Sequence, residues 1–172
     1  VERETLLRSA ECKCLDQHAH REQVRLGHAV LIGIAGLAVD ALNGDPGIYS
    51  ARWAGPEKDF RAAMNEIQSL LVERGSKAPE QRRGHFVSAL CVAWPDGHVE
   101  EFEATVDGTI VWPPRGTLGF GYDPLFKPDG HDRTFGEMPS EEKHGLPPHG
   151  RGLSHRARAF LKLADACLSQ AK

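Results

Sequence analysis

No stretch of this 172-residue chain reaches the roughly 18 consecutive apolar residues that would span a bilayer. Nor does the front of the chain carry a basic segment leading into an apolar leader. Charge of one sign is equally scarce. Lys and Arg total 21 against 24 Asp and Glu, a net charge of −3, which excludes nucleic-acid or membrane binding driven by bulk electrostatics. The four cysteines, Cys12, Cys14, Cys91 and Cys167, lack the spacing of a disulfide scaffold, so a reduced, cytoplasmic protein is expected. Three catalytic signatures are missing: no G-x-S-x-G elbow, no Walker A loop and no G-x-G-x-x-G. There is no internal repeat and no low-complexity tract.

What remains is a chain with 40% hydrophobic and 26% charged residues, expected to fold as one soluble domain over residues 1–172. Residues 4–25 read as a polar helix. HAVLIGI (28–34) reads as a buried strand, after which LAVDAL is expected to begin a helix that NGDPG (43–47) ends. The clearest long helix is 57–74, opened by Pro56, with Phe60, Met64, Ile67 and Leu71 at helical spacing. FVSALCVAW (86–94) reads as a strand buried on both faces and HVEEFEATV (98–106) as its hairpin partner, with a break at Asp107-Gly108. The Gly/Pro-dense stretch that follows TIVW is long loop with brief extended pieces, the kind that often carries function. A last helix starts at Ser154 as N-cap and lays Ala157, Phe160, Leu161, Ala164 and Leu168 on one apolar face.

Three places hold residues able to do chemistry. In LSHRARAF, Ser154 as N-cap puts His155 and Arg156 in the first helical turn, where free backbone N–H groups and the helix dipole favour electron-rich ligand atoms. The alternative is a helix start with two solvated side chains. In GFGYDP (119–124), Gly119 and Gly121 bracket Phe120 and let the backbone present its ring. Tyr122 adds a second ring and Asp123 an acceptor, a combination suited to a planar heterocycle; the alternative is a structural turn with core-filling rings. CKC (12–14) and HAH (18–20) have metal-binding residue types, but neighbours two apart on a helix diverge, and zinc spacings are absent.

Taken in order, GLAVDALNGDPGIYSARWAG, FVSALCVAWPDG, GFGYDPLF, RTFGEMPSEEK and LSHRARAF resemble the inosine triphosphate pyrophosphatase family, the non-canonical purine nucleoside triphosphate pyrophosphatases, in its bacterial branch. The resemblance covers residues 36–168. It implies an α/β fold in which a long curved mixed sheet with flanking helices forms two lobes around a nucleotide cleft. It implies a homodimer and Mg²⁺-dependent hydrolysis of ITP, dITP or XTP to the monophosphate and pyrophosphate, clearing deaminated purines from the nucleotide pool. By the same resemblance Phe120 stacks on the purine, with Gly121, Tyr122 and Asp123 in the same base-holding loop. Lys143 positions base or sugar, and His155 and Arg156 read the 6-oxo group. Neither nucleic acid nor a membrane is implied as a partner.

The first 35 residues depart from the family. Its opening strand and phosphate loop have no counterpart, and about 30 to 35 family residues are expected before Val1. Against the family's T-F-x-E-N-A-x-x-K-A helix, TLLRSAECKC (5–14) aligns Lys13 with the lysine and puts Arg8 where the metal-binding glutamate belongs. Where the family has D-D-S-G, this chain reads Gly33, Ile34, Ala35 and Gly36. Ile34 therefore takes the position of the general-base or metal-bound aspartate and Ala35 that of the substrate-binding serine. Asp40, the nearest carboxylate downstream, is expected on a helix surface. Catalytic and metal residues are thus unassigned, and two readings stand: a pyrophosphohydrolase, or a catalytically impaired purine-nucleotide-binding homologue or fragment.

Overall fold

A computed structural model of the protein describes residues 27–150 and 152–167. The expected helix at 4–25, the Cys/His cluster, Arg8, Lys13 and Leu168 lie outside the described residues. The elements in chain order are β1 (Val30–Val39), α1 (Ser50–Trp53), α2 (Phe60–Glu73), β2 (Arg83–Ala93), β3 (Val99–Ile110), β4 (Phe126–Pro128), α3 (Ser140–His144) and α4 (His155–Cys167), with short 3-10 turns between them. The expected α/β class is what the chain adopts. Among the described residues the sheet has four strands in the order β1-β2-β3-β4, every neighbouring pair antiparallel. No helix among the described residues is long and apolar enough to cross a membrane.

β1 is longer than the sequence implies. LAV does not begin a helix; it carries the strand on to Val39, and Asp40 opens a 3-10 turn, Asp40–Leu42. The reason lies along the strand's outer edge. Leu37 N–H donates to Ser50 Oγ (2.9 Å), Val39 N–H to the Asp45 carbonyl (3.2 Å), and Gly44 N–H to the Val39 carbonyl (3.0 Å). These bonds hold the backbone extended where side-chain pattern alone reads as helical. Gly36 is required here, because a Cβ would run into the Gly47 carbonyl. Asp40 is an exposed residue of this turn, 3.9 Å from His85 Nδ1, rather than part of a helix face.

α2 begins four residues after Pro56. Lys58 takes a left-handed φ of 54°, which interrupts any helix from Pro56, and Asp59 then caps the true start by accepting from Ala62 N (3.0 Å). Its apolar stripe is as expected: Ala63, Met64, Ile67 and Leu71 are buried, with Phe60 half-buried. Asp107-Gly108 is no break. β3 runs through it to Ile110, and Gly108 serves instead to let β4 pass close, since a Cβ would strike Lys127 and Phe126.

The sheet separates two apolar clusters. On one side Leu37, Val39, Phe86, Val106 and Ile110 meet Met64, Ile67 and Leu71 of α2 and Phe126 and Phe135 of the following loops. Val30, Ile34, Val87, Ala89, Cys91 and Ala93 form the second cluster. α4 packs on β2 and β3, with Arg158 and Lys162 donating to the Thr105 and Glu103 carbonyls. Its buried residues are His155, Ala157, Ala159 and Leu163, so the expected face is rotated and Phe160 stays 38% exposed. The helix serves two surfaces: Ala159 and Leu163 turn to the core, while Ala157 and Phe160 border a cavity beside β1. Ile67→Ala is expected to cost about 2–5 kcal/mol in urea unfolding, whereas Val72→Ala, on the exposed side of the same helix, is expected to stay within about 0.5 kcal/mol.

Candidate functional site

The loop after β3, the C-terminal half of β1 and the start of α4 converge on one cavity of about 100 Å³. Ala35, Phe120, Gly121, Tyr122, Asp123, His155 and Arg156, all singled out from the sequence, line it. Gly119 and Gly121 have φ values of 93° and 65°, a backbone that L side chains rarely adopt. The glycines turn the chain twice and leave the Phe120 ring 59% exposed at the cavity mouth.

Tyr122 points the other way. It is buried, its hydroxyl donates to the Ser50 carbonyl (2.8 Å), and its ring meets Phe60 edge-on at 5.3 Å. Burial pushes the phenol up to about 12, so it stays a donor. Asp123 accepts from Lys143 Nζ (2.9 Å) and from Phe120 N (3.4 Å). Lys143, only 1% exposed, also donates to the Phe135 carbonyl (2.9 Å) and the Leu118 carbonyl (3.5 Å). Its ammonium therefore sits behind Asp123 and does not line the cavity.

The α4 start forms the opposite wall. Ser154 caps it as expected, its Oγ accepting from Ala157 N (3.2 Å), while Ser154 N donates to the Lys143 carbonyl (2.9 Å). The same Oγ lies 2.8 Å from His144 Nδ1, whose ring burial and the nearby Lys143 charge hold below the usual imidazole range. His155 is 4% exposed and stacks on Phe86 (4.8 Å between centroids, 13° between planes). Burial, aided by Arg156 and His144, lowers its pKa to about 3, so the ring is neutral at physiological pH. Its Nδ1 is buried with no partner among the described residues. Arg156 places its guanidinium 4.8 Å over the Phe120 ring.

Ile34 lies in mid-strand opposite Ala89 and packs with Val87, Ala89 and Cys91; it does not line the cavity of Phe120 and His155, but with Ala35, His144 and Arg156 it borders the adjoining one of about 370 Å³. Sequence reasoning missed Ser50, Phe60 and Phe86 as wall residues. The helical stripe marked Phe60 and the buried strand marked Phe86, but only as core. Nothing local marks Ser50, whose role depends on a contact 72 residues away with Tyr122.

The chemistry of the cavity is narrow. The Phe120 ring and the Arg156 guanidinium flank the cavity, and behind them stands the neutral His155 imidazole, whose Nδ1 has no partner among the described residues. That suits a flat, carbonyl-bearing ring: the oxygen accepts from Arg156, whereas an exocyclic amine would set donor against donor. Fold and cavity together describe an α/β protein whose cavity is walled by an aromatic ring, an imidazole and a guanidinium. Residues 2–166 match the Ham1 family, and the chain belongs to that family.

Its relatives agree. Over 136 residues it is 74% identical to a Bradyrhizobium sp. (strain BTAi1) protein named dITP/XTP pyrophosphatase, covering 79% of this chain and 64% of that one. A protein of the same name from Agrobacterium fabrum is 58% identical over 139 residues, with shares of 78% and 64%. The chain thus spans a little under two thirds of the length of these relatives. Among solved structures, the Staphylococcus aureus Ham1 protein superposes with a TM-score of 0.71 at 36% identity, over 86% of this chain and 70% of that one. A Mycobacterium abscessus structure described as nucleoside-triphosphatase / dITP/XTP pyrophosphatase gives 0.69 at 34% identity, over 95% and 76%.

Two stability measurements check this geometry. Lys143→Met leaves Asp123 buried without its cation and is expected to cost about 3–5 kcal/mol in urea unfolding. His155 has a value of about 3 in the folded chain against 6.5 when free. Between those pH values the unfolded chain binds a proton that the folded chain does not. Stability should therefore fall as pH drops from about 6.5 towards 3, by roughly 1 kcal/mol per pH unit, and His155→Leu should remove that part of the slope.

Proposed function

We propose that the chain recognises the base of non-canonical purine nucleotides, for hydrolysis of ITP, dITP or XTP to the monophosphate and pyrophosphate. One observation carries the reading: His155, neutral and buried, holds an unpartnered Nδ1 in the cavity that Phe120 and Arg156 flank. The names of the relatives support the same substrates. In this reading hypoxanthine or xanthine enters between the Phe120 ring and the Arg156 guanidinium and displaces their direct contact. The 6-oxo group accepts from Arg156, and His155 Nδ1 gains the partner it lacks. Tyr122 and Lys143 act indirectly: Tyr122 ties the loop to Ser50, and Lys143 fixes Asp123.

The resemblance also implies Mg²⁺, a homodimer and a cytoplasmic setting, and these belong to the proposal. The described residues do not fit Mg²⁺. The expected aspartate position is the apolar Ile34, packed among Val87, Ala89 and Cys91, and no group of three Asp, Glu, His or Cys converges among the described residues. Among the described residues Asp123 is the one carboxylate lining the cavity, and it is held by Lys143. No step through the metal follows from these residues; their part is to bind and orient the base.

The test is direct. Purified chain incubated with ITP and Mg²⁺ should release pyrophosphate, and Arg156→Ala should abolish the release. Calorimetry should show IMP bound at least about tenfold more tightly than AMP, about 1.4 kcal/mol or more. Base-selective binding without pyrophosphate release would sink the hydrolytic reading and leave a nucleotide-binding homologue. Equal affinity for IMP and AMP would sink the base reading itself.

A further inference from the structure

The start of β2, the end of β3, β4 and the C-terminal half of α2 border a further cavity, of about 470 Å³. It shares no lining residue with the cavity of Phe120 and His155 or with the one between β1 and α4. It also lies at the other end of the sheet from both ends of the described residues. β1 enters at Val30, opposite Ala93, and Cys167 at the end of α4 has its Sγ 3.8 Å from Glu100 Oε2, near the same hairpin. Arg82, Thr109 and Lys127 line the cavity where β1 has run on to Val39, opposite Gly84, roughly 30 Å further along the strand.

A buried cation lies against this cavity. Arg82 is 8% exposed, and its Nε donates to the Ile110 carbonyl (2.8 Å), Nη1 to the Ser76 carbonyl (3.2 Å) and Nη2 to Gln68 Oε1 (2.7 Å). All three acceptors belong to residues that line the cavity. All three are neutral, and they take up three of the guanidinium's five N–H groups. A buried charge is ordinarily matched by an opposite one. Arg82 has no carboxylate partner among the described residues, and burial draws its pKa down.

The rim carries the same sign of charge. Lys77 and Lys127 line the cavity, and among the described residues no Asp or Glu does. Asp129, which feels the charge of Lys127, is already held by Nη1 and Nη2 of Arg83. The rest of the wall is apolar and open. Trp112 is 42% exposed and Val72 58%, beside Pro79 and Val111. Large apolar side chains left exposed around one hollow mark a binding surface. An indole face suits a flat ring, and a guanidinium with two ammonium groups suits a head of more than one negative charge. A phosphate monoester carries close to two charges at neutral pH, where a carboxylate carries one.

We propose that this cavity is a second ligand site, for a small aromatic phosphate. The phosphate oxygens accept from Arg82, Lys77 and Lys127, and the ring lies against Trp112. The site makes no use of the base-recognition reading and is measured without any purine.

Phenyl phosphate is the probe. Calorimetry should show one saturable site on the wild type, with inorganic phosphate bound at least about tenfold more weakly. Lys77→Ala with Lys127→Ala should weaken phenyl phosphate at least about tenfold, circular dichroism confirming that the variant folds. Trp112→Leu should bring phenyl phosphate down to the affinity of inorganic phosphate. Arg156→Ala, in the other cavity, should leave its affinity unchanged. Absence of saturable binding would overturn the proposal, as would full affinity in the double lysine variant. So would loss of binding in Arg156→Ala, which would put the probe beside Phe120, or equal affinity for phenyl phosphate and inorganic phosphate.

Discussion

One buried ammonium group, that of Lys143, holds the walls of the cavity together. It reaches the Asp123 carboxylate and the carbonyls of Phe135 and Leu118, so three segments of a long irregular loop are tied to a single point. The carbonyl of the same residue accepts from Ser154 N, which starts α4 and with it His155 and Arg156. Both walls of the pocket thus depend on one residue. A charge so deeply buried is tolerable only because its donors are satisfied, and its rigidity is what lets a loop with little regular structure present Phe120 in one place.

Much of this was legible in the sequence, for identifiable reasons. Motifs in which a few adjacent residues set the geometry read correctly. Ser154 capped its helix, glycines bracketed Phe120, and Met64, Ile67 and Leu71 of the helical stripe are buried. Misreadings came where distant backbone overruled local pattern. LAV extends as strand because Ser50 and Asp45 occupy its edge, and Gly108 continues a strand because β4 crosses there. The depth of Lys143, 1% exposed, was not legible either, because a lysine in a sequence carries no sign of how deeply it lies. Ile34 packs in an apolar cluster with Val87 and Ala89 and also borders the cavity beside α4, a double placement that strand alternation alone does not show.

Charge is distributed unevenly between the cavity and the strand beside it. Around the cavity each ionisable group is paired, stacked or held neutral: Asp123 by Lys143, Arg156 by the Phe120 ring, His155 by burial. Along β1 ionisable groups are missing from Val30 to Val39. The first arrangement leaves the direction of each hydrogen-bonding group in the cavity fixed. The second leaves backbone groups as the only polar feature of an edge. The two meet at Ala35, which borders both cavities.

The glycines around Phe120 have a consequence for how such a pocket changes over evolutionary time. The backbone there is set by Gly119 and Gly121 and anchored through Asp123, while the ring between them projects into solvent and supports no core. Exchange of that ring for a different one leaves the scaffold's folding energy almost untouched. A change at this position therefore escapes the packing constraint that acts on the buried Tyr122 and Asp123 just beyond it.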